Sequence, residues 1–236
     1  GKKGFVLEED FLQALTKEID IIFLCNPNNP TGLLVEKPLL EKILKRCQEL
    51  DILMAVDECF LDFVPSPEKY TLKEYLETYD NLFLLKAFTK RYAMAGVRLG
   101  YGLCGNKGLL RKMEGVCQPW NVSSMAQAAG LAALQEREYV EKGRQVTFQE
   151  LAYLKEELAA LGYPVYPSQA NYVFFTGPAD LYEKLEQKKI LIRDCSNYTG
   201  LSKGYYRVAV KKHEENQQLV RALKEIDRTK VENVIL

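Results

Sequence analysis

Short apolar runs that alternate with helical patterns constrain the fold of this chain more than any other feature. Four runs each have the length of one strand: 21–25 (IIFLC), 52–56 (ILMAV), 81–86 (NLFLLK) and 97–104 (VRLGYGLC). Strands that are apolar throughout are typical of a sheet covered on both faces, and such sheets are largely parallel. The pattern therefore predicts an α/β fold with a mostly parallel sheet.

Apolar residues recur at helical spacing between and after these runs. The segments with this period are 8–19, 37–50, 123–135 and 138–161. After Gly162 the pattern changes, and it predicts strands at 163–176, 190–194 and 205–210 with helices near 179–188 and 214–226. We therefore expect a large domain over residues 1–144 and a smaller C-terminal α+β domain over residues 145–236.

Composition removes several classes of function. Lys plus Arg equals Asp plus Glu, 32 each, so no nucleic-acid surface is expected. No apolar run has the length that a bilayer requires, and no signal peptide opens the chain. A single histidine, His213, and the lack of a CxxC motif predict no zinc site. The six scattered cysteines indicate reduced thiols in the core and a cytoplasmic location.

Polar side chains follow the predicted strands where each one ends. Asn29 comes after the first strand, Asp57 directly after the second and Lys90 after the third, while Arg98 stands near the start of the fourth. Ligands bind at the carboxyl edge of open α/β sheets. Each residue also has an ordinary interpretation: Asn29 in a simple turn, Asp57 as a helix cap, Lys90 and Arg98 as surface charges. Their order and spacing together favour a shared site.

Three motifs carry a resemblance to a known superfamily. CNPNNPTG at 25–32, DECFLDF at 57–63 and TKRYAMAGVRLGY at 89–101 resemble the turn, carboxylate and lysine motifs of fold-type-I aminotransferases, which use pyridoxal 5′-phosphate (PLP). The resemblance implies that Lys90 holds PLP as a Schiff base, and that Asp57 keeps the pyridine nitrogen protonated. It also implies that Asn29 contacts the phenolate oxygen and Arg98 the phosphate.

Two positions depart from the superfamily pattern. Phe60 stands where many members have a tyrosine that also reaches the phenolate oxygen. Ala87 stands where a serine or threonine commonly binds the phosphate, so Thr89 is the remaining hydroxyl next to Lys90 and is expected to help bind the cofactor.

The C-terminal block narrows the resemblance. ILIRDCSNYTGLSKGYYRVAVK at 190–211 resembles the L-threonine-O-3-phosphate decarboxylase family of cobalamin biosynthesis, whose near relatives are the histidinol-phosphate aminotransferases. The resemblance implies a phosphorylated amino acid or amine as substrate, with Arg193 on its phosphate and Arg207 on its α-carboxylate. Asn197 and Tyr198 would lie near the substrate. The residues alone leave decarboxylation and transamination open. Trp120 either faces this site or packs in the core.

The chain begins at Gly1 without a methionine, and superfamily members carry further N-terminal residues. We therefore expect a longer parent, a homodimer when complete, whose N-terminal part supplies a glycine-rich phosphate cup and an aromatic residue that stacks on the pyridine ring.

This expectation gives a test with added PLP. The 236-residue chain should yield little borohydride-reducible adduct on Lys90, whereas the full-length parent should yield a stoichiometric one. Peptide mapping by mass spectrometry measures both. A tight, reducible adduct in the 236-residue chain would contradict the expectation.

Overall fold

The computed structural model describes residues 4–234, with side chains as far as Asp227. The outermost residues of the two predicted domains, 1–3 and 235–236, lie outside the described residues. The chain divides into two compact units. The N-terminal unit comprises Val6–Asn28 and Leu34–Lys142, and the C-terminal unit runs from Gly143 onward together with the short segments that contain Phe5 and Asn29–Leu33.

The helices and strands up to residue 133 lie in the N-terminal unit. In chain order they are β1 (Ile21–Cys25), α1 (Lys37–Glu49), β2 (Leu53–Asp57), β3 (Leu82–Ala87), α2 (Phe88–Arg91), β4 (Gly100–Cys104), α3 (Lys107–Val116) and α4 (Ser124–Ala133). The sheet has the order β1-β2-β3-β4. Its first three strands are parallel, while β4 is antiparallel to β3. The predicted α/β fold with a mostly parallel sheet is confirmed.

The core of this unit explains why α1 forms where it does. Apolar residues at helical spacing, Leu40, Ile43 and Leu44, are buried against the side chains that the strands present to the same side, such as Met54 and Leu84. Burying one such aliphatic side chain stabilises by roughly 1.5–3 kcal/mol. Helix α1 packed on one face of the sheet is therefore a central part of the core of this unit.

The remaining elements belong mostly to the C-terminal unit, although the first of them begins before Gly143. They are α5 (Arg137–Ala160), β5 (Tyr172–Thr176), α6 (Leu181–Gln187), β6 (Arg193–Asp194), β7 (Tyr205–Ala209) and α7 (His213–Val234). The three strands form an antiparallel sheet in the order β5-β7-β6. Its core contains Phe175, Tyr206 and Leu223, among others.

Four predicted elements are shorter in the structure, and one of them is the strand 97–104, since β4 begins only at Gly100. The segment 8–19 forms only a 3-10 helix, Glu9–Ala14, without a side-chain cap at its start. In 163–176 only β5 is a regular strand, because Pro164 and Pro167 lack the backbone N–H that a ladder needs, and one isolated bridge joins Val165 to Phe175. In 190–194 only Arg193–Asp194 pairs with β7.

The predicted domain division and the observed units differ at the segments that contain Phe5 and residues 29–33, and by two residues at the boundary. The sequence assigned residues 29–33 to the large domain, whereas they pack with the C-terminal unit. The backbone N–H of Gln169 donates to the Gly32 carbonyl at 2.8 Å, which attaches this turn to that unit. The division between residues 144 and 145 stays a proposal for the domains of the whole protein.

Two expectations about the core, one for the cysteines and one for Trp120, were partly wrong. Cys47 and Cys195 are buried, but Cys117 is exposed, and none of the six cysteines, all of which the structure describes, forms a disulfide. Trp120 is 77% exposed, so the core interpretation is wrong for it.

Gly32 gives a stability test of the turn. Its φ of +71° is in the left-handed region, and an added Cβ would lie 1.8 Å from the Ser168 Oγ, which itself donates to the Tyr172 carbonyl at 2.5 Å. Gly32→Ala should lower the free energy of unfolding by about 3 kcal/mol, from backbone strain and overpacking together. Urea unfolding measures the loss.

Gly162 is the matched control. Its φ is +81° but nothing lies within 4 Å of an added Cβ, so Gly162→Ala should cost only the backbone strain, about 1 kcal/mol. Equal losses at the two positions would show that Ser168 does not constrain the turn.

Candidate active site

The carboxyl edge of the parallel strands in the N-terminal unit carries three of the predicted site residues. Asp57 is the last residue of β2, and β3 is followed at once by α2, which contains Thr89 and Lys90. Because β4 runs in the opposite direction, the residues before it return to the same edge, where the Phe88 N–H donates to the Leu99 carbonyl at 3.1 Å. Arg98 therefore reaches this edge too.

Asp57 is half-buried, and one of its oxygens is already engaged. Its Oδ1 accepts a hydrogen bond from the backbone N–H of Cys59 at 2.9 Å. This bond fixes the orientation of the carboxylate and leaves acceptor capacity for a further donor. Burial, followed by a side-chain hydrogen bond with Asp57 and the negative charge of that carboxylate, raises the pKa of the Cys59 thiol to about 12. The thiol therefore stays protonated at neutral pH.

Lys90 is exposed and faces an aromatic ring. Its Nζ lies 5.8 Å from the centroid of the Phe60 ring, a cation–π distance. Among the side chains that the structure describes, residues 4–227, no carboxylate forms an ion pair with Lys90. Phe60 stands where many superfamily members have a tyrosine. The Lys90 amine therefore faces a phenyl ring that has no hydroxyl group.

Arg98 adopts a strained backbone conformation. Its φ is +57°, in the left-handed region that costs a non-glycine residue roughly 1–2 kcal/mol. The side chain is exposed and donates one hydrogen bond from Nη1 to the Ala95 carbonyl at 3.0 Å, which leaves further guanidinium N–H groups for an anion. Thr89, directly before Lys90, is half-buried.

The C-terminal unit contains the other predicted residues. Arg207 lies on β7, donates a hydrogen bond from Nη1 to the Asn29 Oδ1, and has its guanidinium carbon 5.0 Å from the centroid of the Tyr172 ring. These contacts hold the guanidinium in one orientation and connect it to the NPNNPTG turn. The sequence predicted roles for Asn29 and Arg207 separately and did not predict this bond.

Arg193 stands directly opposite Arg207 on the neighbouring antiparallel strand. Its Nη2 donates to the Asn197 Oδ1 at 2.9 Å, and its guanidinium carbon lies 5.9 Å from the Tyr198 ring centroid. Like charges directly opposite each other destabilise a sheet. An anion bound between or beside the two guanidiniums would remove that cost, so this arrangement favours an anionic ligand.

Other site types find no support in the described residues. No group of three or more His, Cys, Asp and Glu side chains among them is placed to hold a metal ion. None of the helices formed by these residues has both the length and the apolar character that crossing a membrane requires.

Comparison with known proteins gives the family. The model of aminotransferase class I and II matches residues 5–223. The chain belongs to the aminotransferase class I and II family, and its cofactor is PLP. The chain is 37% identical over 227 residues to a threonine-phosphate decarboxylase from Salmonella typhimurium, covering 94% of this chain and 62% of that protein.

A second group of relatives has a different activity. A histidinol-phosphate aminotransferase from Methanococcus aeolicus is 32% identical over 232 residues, covering 95% of this chain and 61% of that protein. The crystal structure of the histidinol-phosphate aminotransferase from Clostridium acetobutylicum superposes with a TM-score of 0.91 at 29% identity, covering 96% of this chain and 70% of that one. The chain spans about three fifths of the length of these curated relatives.

The residues of the N-terminal unit fit this cofactor. Asp57 is an oriented acceptor that a protonated ring nitrogen could use, Lys90 is an amine without a carboxylate partner among the described residues, and Arg98 has free donors at the same edge. When bound, PLP supplies an electron sink for the bond that breaks at the substrate's α-carbon.

The opposed arginines give a binding test with inorganic phosphate. At ten times its dissociation constant, phosphate should stabilise the protein by about 1.4 kcal/mol, and Arg193→Gln should remove part of that gain because one of the two guanidiniums is lost. Thermal unfolding with and without phosphate, at constant ionic strength, measures the difference.

Arg221→Gln is the matched control, since Arg221 is an exposed arginine of α7 whose guanidinium contacts Gln217 at 3.4 Å. It should leave the phosphate effect unchanged. An undiminished effect in Arg193→Gln would show that phosphate binds elsewhere.

Proposed function

We propose that the whole protein is a PLP-dependent lyase that decarboxylates O-phospho-L-threonine to 1-aminopropan-2-ol O-phosphate and CO₂, a reaction of cobalamin biosynthesis. The observation that carries this proposal is the pairing of Arg193 with Arg207 across β6 and β7. O-phospho-L-threonine has two anionic groups, a carboxylate and a phosphate, and planar guanidiniums bind both kinds of anion bidentately.

Each arginine has a proposed partner on the substrate. Arg207, which the Asn29 side chain and the Tyr172 ring orient, binds the α-carboxylate. Arg193, which Asn197 orients, binds the phosphate. Fixing both ends of a small substrate limits its rotation and so determines which bond at the α-carbon is aligned for cleavage.

The cofactor residues act on stated atoms. Lys90 holds the cofactor through its amine and moves a proton at the substrate's α-carbon. Asp57 keeps a proton on the ring nitrogen because a carboxylate there favours the positively charged ring. Asn29 contacts the phenolate oxygen, while Thr89 and Arg98 contact the cofactor phosphate.

Histidinol-phosphate aminotransferase is the second candidate. The TM-score of 0.91 with a structure of that activity favours it, and its substrate also carries a phosphate. Histidinol phosphate has no carboxylate, however, so the two arginines would serve the phosphate substrate and the 2-oxoglutarate of the other half-reaction in turn. The identity to the Salmonella typhimurium decarboxylase is 37%, against 32–35% for the histidinol-phosphate aminotransferases compared, and this supports the first candidate.

A homodimer is proposed for the whole protein. Large apolar side chains are exposed in the N-terminal unit: Val116 is 86% exposed, Met125 82% and Leu131 69%. These side chains favour burial in the whole protein, and a second copy of the chain is the partner proposed for them.

The decisive assay gives the full-length protein each substrate separately. With O-phospho-L-threonine we expect CO₂ release without any keto acid. With histidinol phosphate we expect no consumption of 2-oxoglutarate. Arg207→Gln should lower kcat/KM for decarboxylation by at least about a hundredfold, because a charged hydrogen-bond partner contributes roughly 1.5–3 kcal/mol and orientation adds to it. Consumption of 2-oxoglutarate without CO₂ release would overturn the proposal in favour of the aminotransferase.

A further inference from the structure

A fully buried carboxylate lies next to Asp57 in the chain. The Glu58 side chain is 0% exposed and forms an ion pair with Lys86, with 2.8 Å between the Glu58 Oε2 and the Lys86 Nζ. Both Glu58 oxygens also accept from the Thr71 hydroxyl, at 2.9 and 3.0 Å, and Oε1 accepts from the Leu72 N–H at 3.3 Å. The carboxylate is thus held by three different groups.

The ion pair begins where the backbone pairing of β2 and β3 ends. The last register pair of the two strands is Asp57 with Leu85, and the last backbone bond runs from the Glu58 N–H to the Leu85 carbonyl at 3.0 Å. The next residue of β3 is Lys86, whose backbone pairs with Tyr101 of β4. The side chains of Glu58 and Lys86 therefore extend the connection between the strands by one step beyond the ladder.

The pair lies on the face of the sheet opposite to Asp57. Side chains alternate along a strand, and Glu58 continues the series of Met54 and Val56, which face the core. Lys86 likewise continues the series of Leu82 and Leu84. The side chains of the pair therefore do not share the face that Asp57 presents, so their effect on the positions of Asp57 and Lys90 passes through the backbone.

Stability alone is a weak reason for such a pair. Removing two charges from water costs about as much as their attraction returns, and apolar side chains of similar volume often stabilise a fold equally well or better. Buried charges can instead fix one geometry among several, because their directional bonds are lost when the geometry changes.

We infer that Glu58 and Lys86 are positioning residues that fix the spacing between Asp57 and Lys90. Asp57 directly precedes Glu58, and Lys90 of α2 lies four residues after Lys86, so the ion pair joins the two short backbone segments that carry the cofactor residues. The inference rests on the cofactor roles proposed above for Asp57 and Lys90.

The test measures cofactor binding in the full-length protein at a temperature where every variant is folded. Lys86→Met should raise the PLP dissociation constant by about tenfold and shift the pH midpoint of the bound cofactor's visible absorbance by about one unit. Lys86→Arg, which keeps the charge, should restore both values towards those of the wild type. Thr71→Val is a milder change that removes one hydroxyl donor. It should raise the PLP dissociation constant less and shift the pH midpoint less, both in the same direction as Lys86→Met.

The double variant Glu58→Gln with Lys86→Met separates positioning from stability. It leaves no unpaired charge, so it should recover much of the thermal stability that Lys86→Met loses, while PLP binding stays weak. Recovery of PLP affinity together with stability would overturn the inference, as would an unchanged pH midpoint in a folded Lys86→Met.

Lys37→Met is the matched control, because Lys37 forms an ion pair with Glu74 at 2.6 Å in the same unit but far from Asp57 in sequence. It should leave PLP binding unchanged. If Lys86→Met does not fold, Lys86→Arg and Thr71→Val decide alone, and a wild-type affinity in Thr71→Val then counts against the inference. Failure of the wild-type protein to bind PLP would instead overturn the proposed function.

Discussion

The backbone ladder of β1, β2 and β3 is the constraint on which the site depends. In this ladder Cys25 is in register with Asp57, and Asp57 with Leu85, so three strands end at one edge. Parallel strands bring their carboxyl ends together, and no side-chain contact is needed to achieve it. A change of register by one residue would turn Asp57 to the other face of the sheet.

The antiparallel strand β4 completes this arrangement. It returns the chain to the same edge, where Ala87 pairs with Gly100, so that a lysine after β3 and an arginine before β4 arrive there from opposite directions. Strand register has a similar effect in the C-terminal unit, where the pairing of β6 with β7 places Arg193 directly opposite Arg207. In both units, strand pairing determines which charged groups become neighbours, and hydrogen bonds then orient them.

The sequence predicted the elements whose apolar period is regular. Helix α1 and strands β1 to β3 lie within a residue or two of their predicted bounds because their buried residues face one core. Residues 8–19 also have a helical period but form mainly a short 3-10 helix, since apolar spacing alone does not supply the caps and length that a stable helix needs. In 163–176 two prolines outweigh the β-prone residues.

The site was predictable where a motif lies at the end of a strand, as for Asp57 and Lys90. It was not predictable where the partner is distant in sequence. The Arg207–Asn29 bond joins residues 178 positions apart, and no local pattern signals it. The sequence did not predict the Glu58–Lys86 pair, because each residue follows an apolar strand and nothing local links the two. Only the pairing of β2 with β3 shows that the two charges meet.

The central claim is that Asp57 and Lys90 hold one flat, phosphorylated cofactor at the carboxyl edge of this sheet. A crystal structure of the full-length protein with PLP bound tests it most directly. The claim predicts a covalent bond between the Lys90 Nζ and the cofactor, with the Asp57 carboxylate within hydrogen-bonding distance of the ring nitrogen. A cofactor bonded to another lysine, or a ring nitrogen that faces a group other than Asp57, would contradict it.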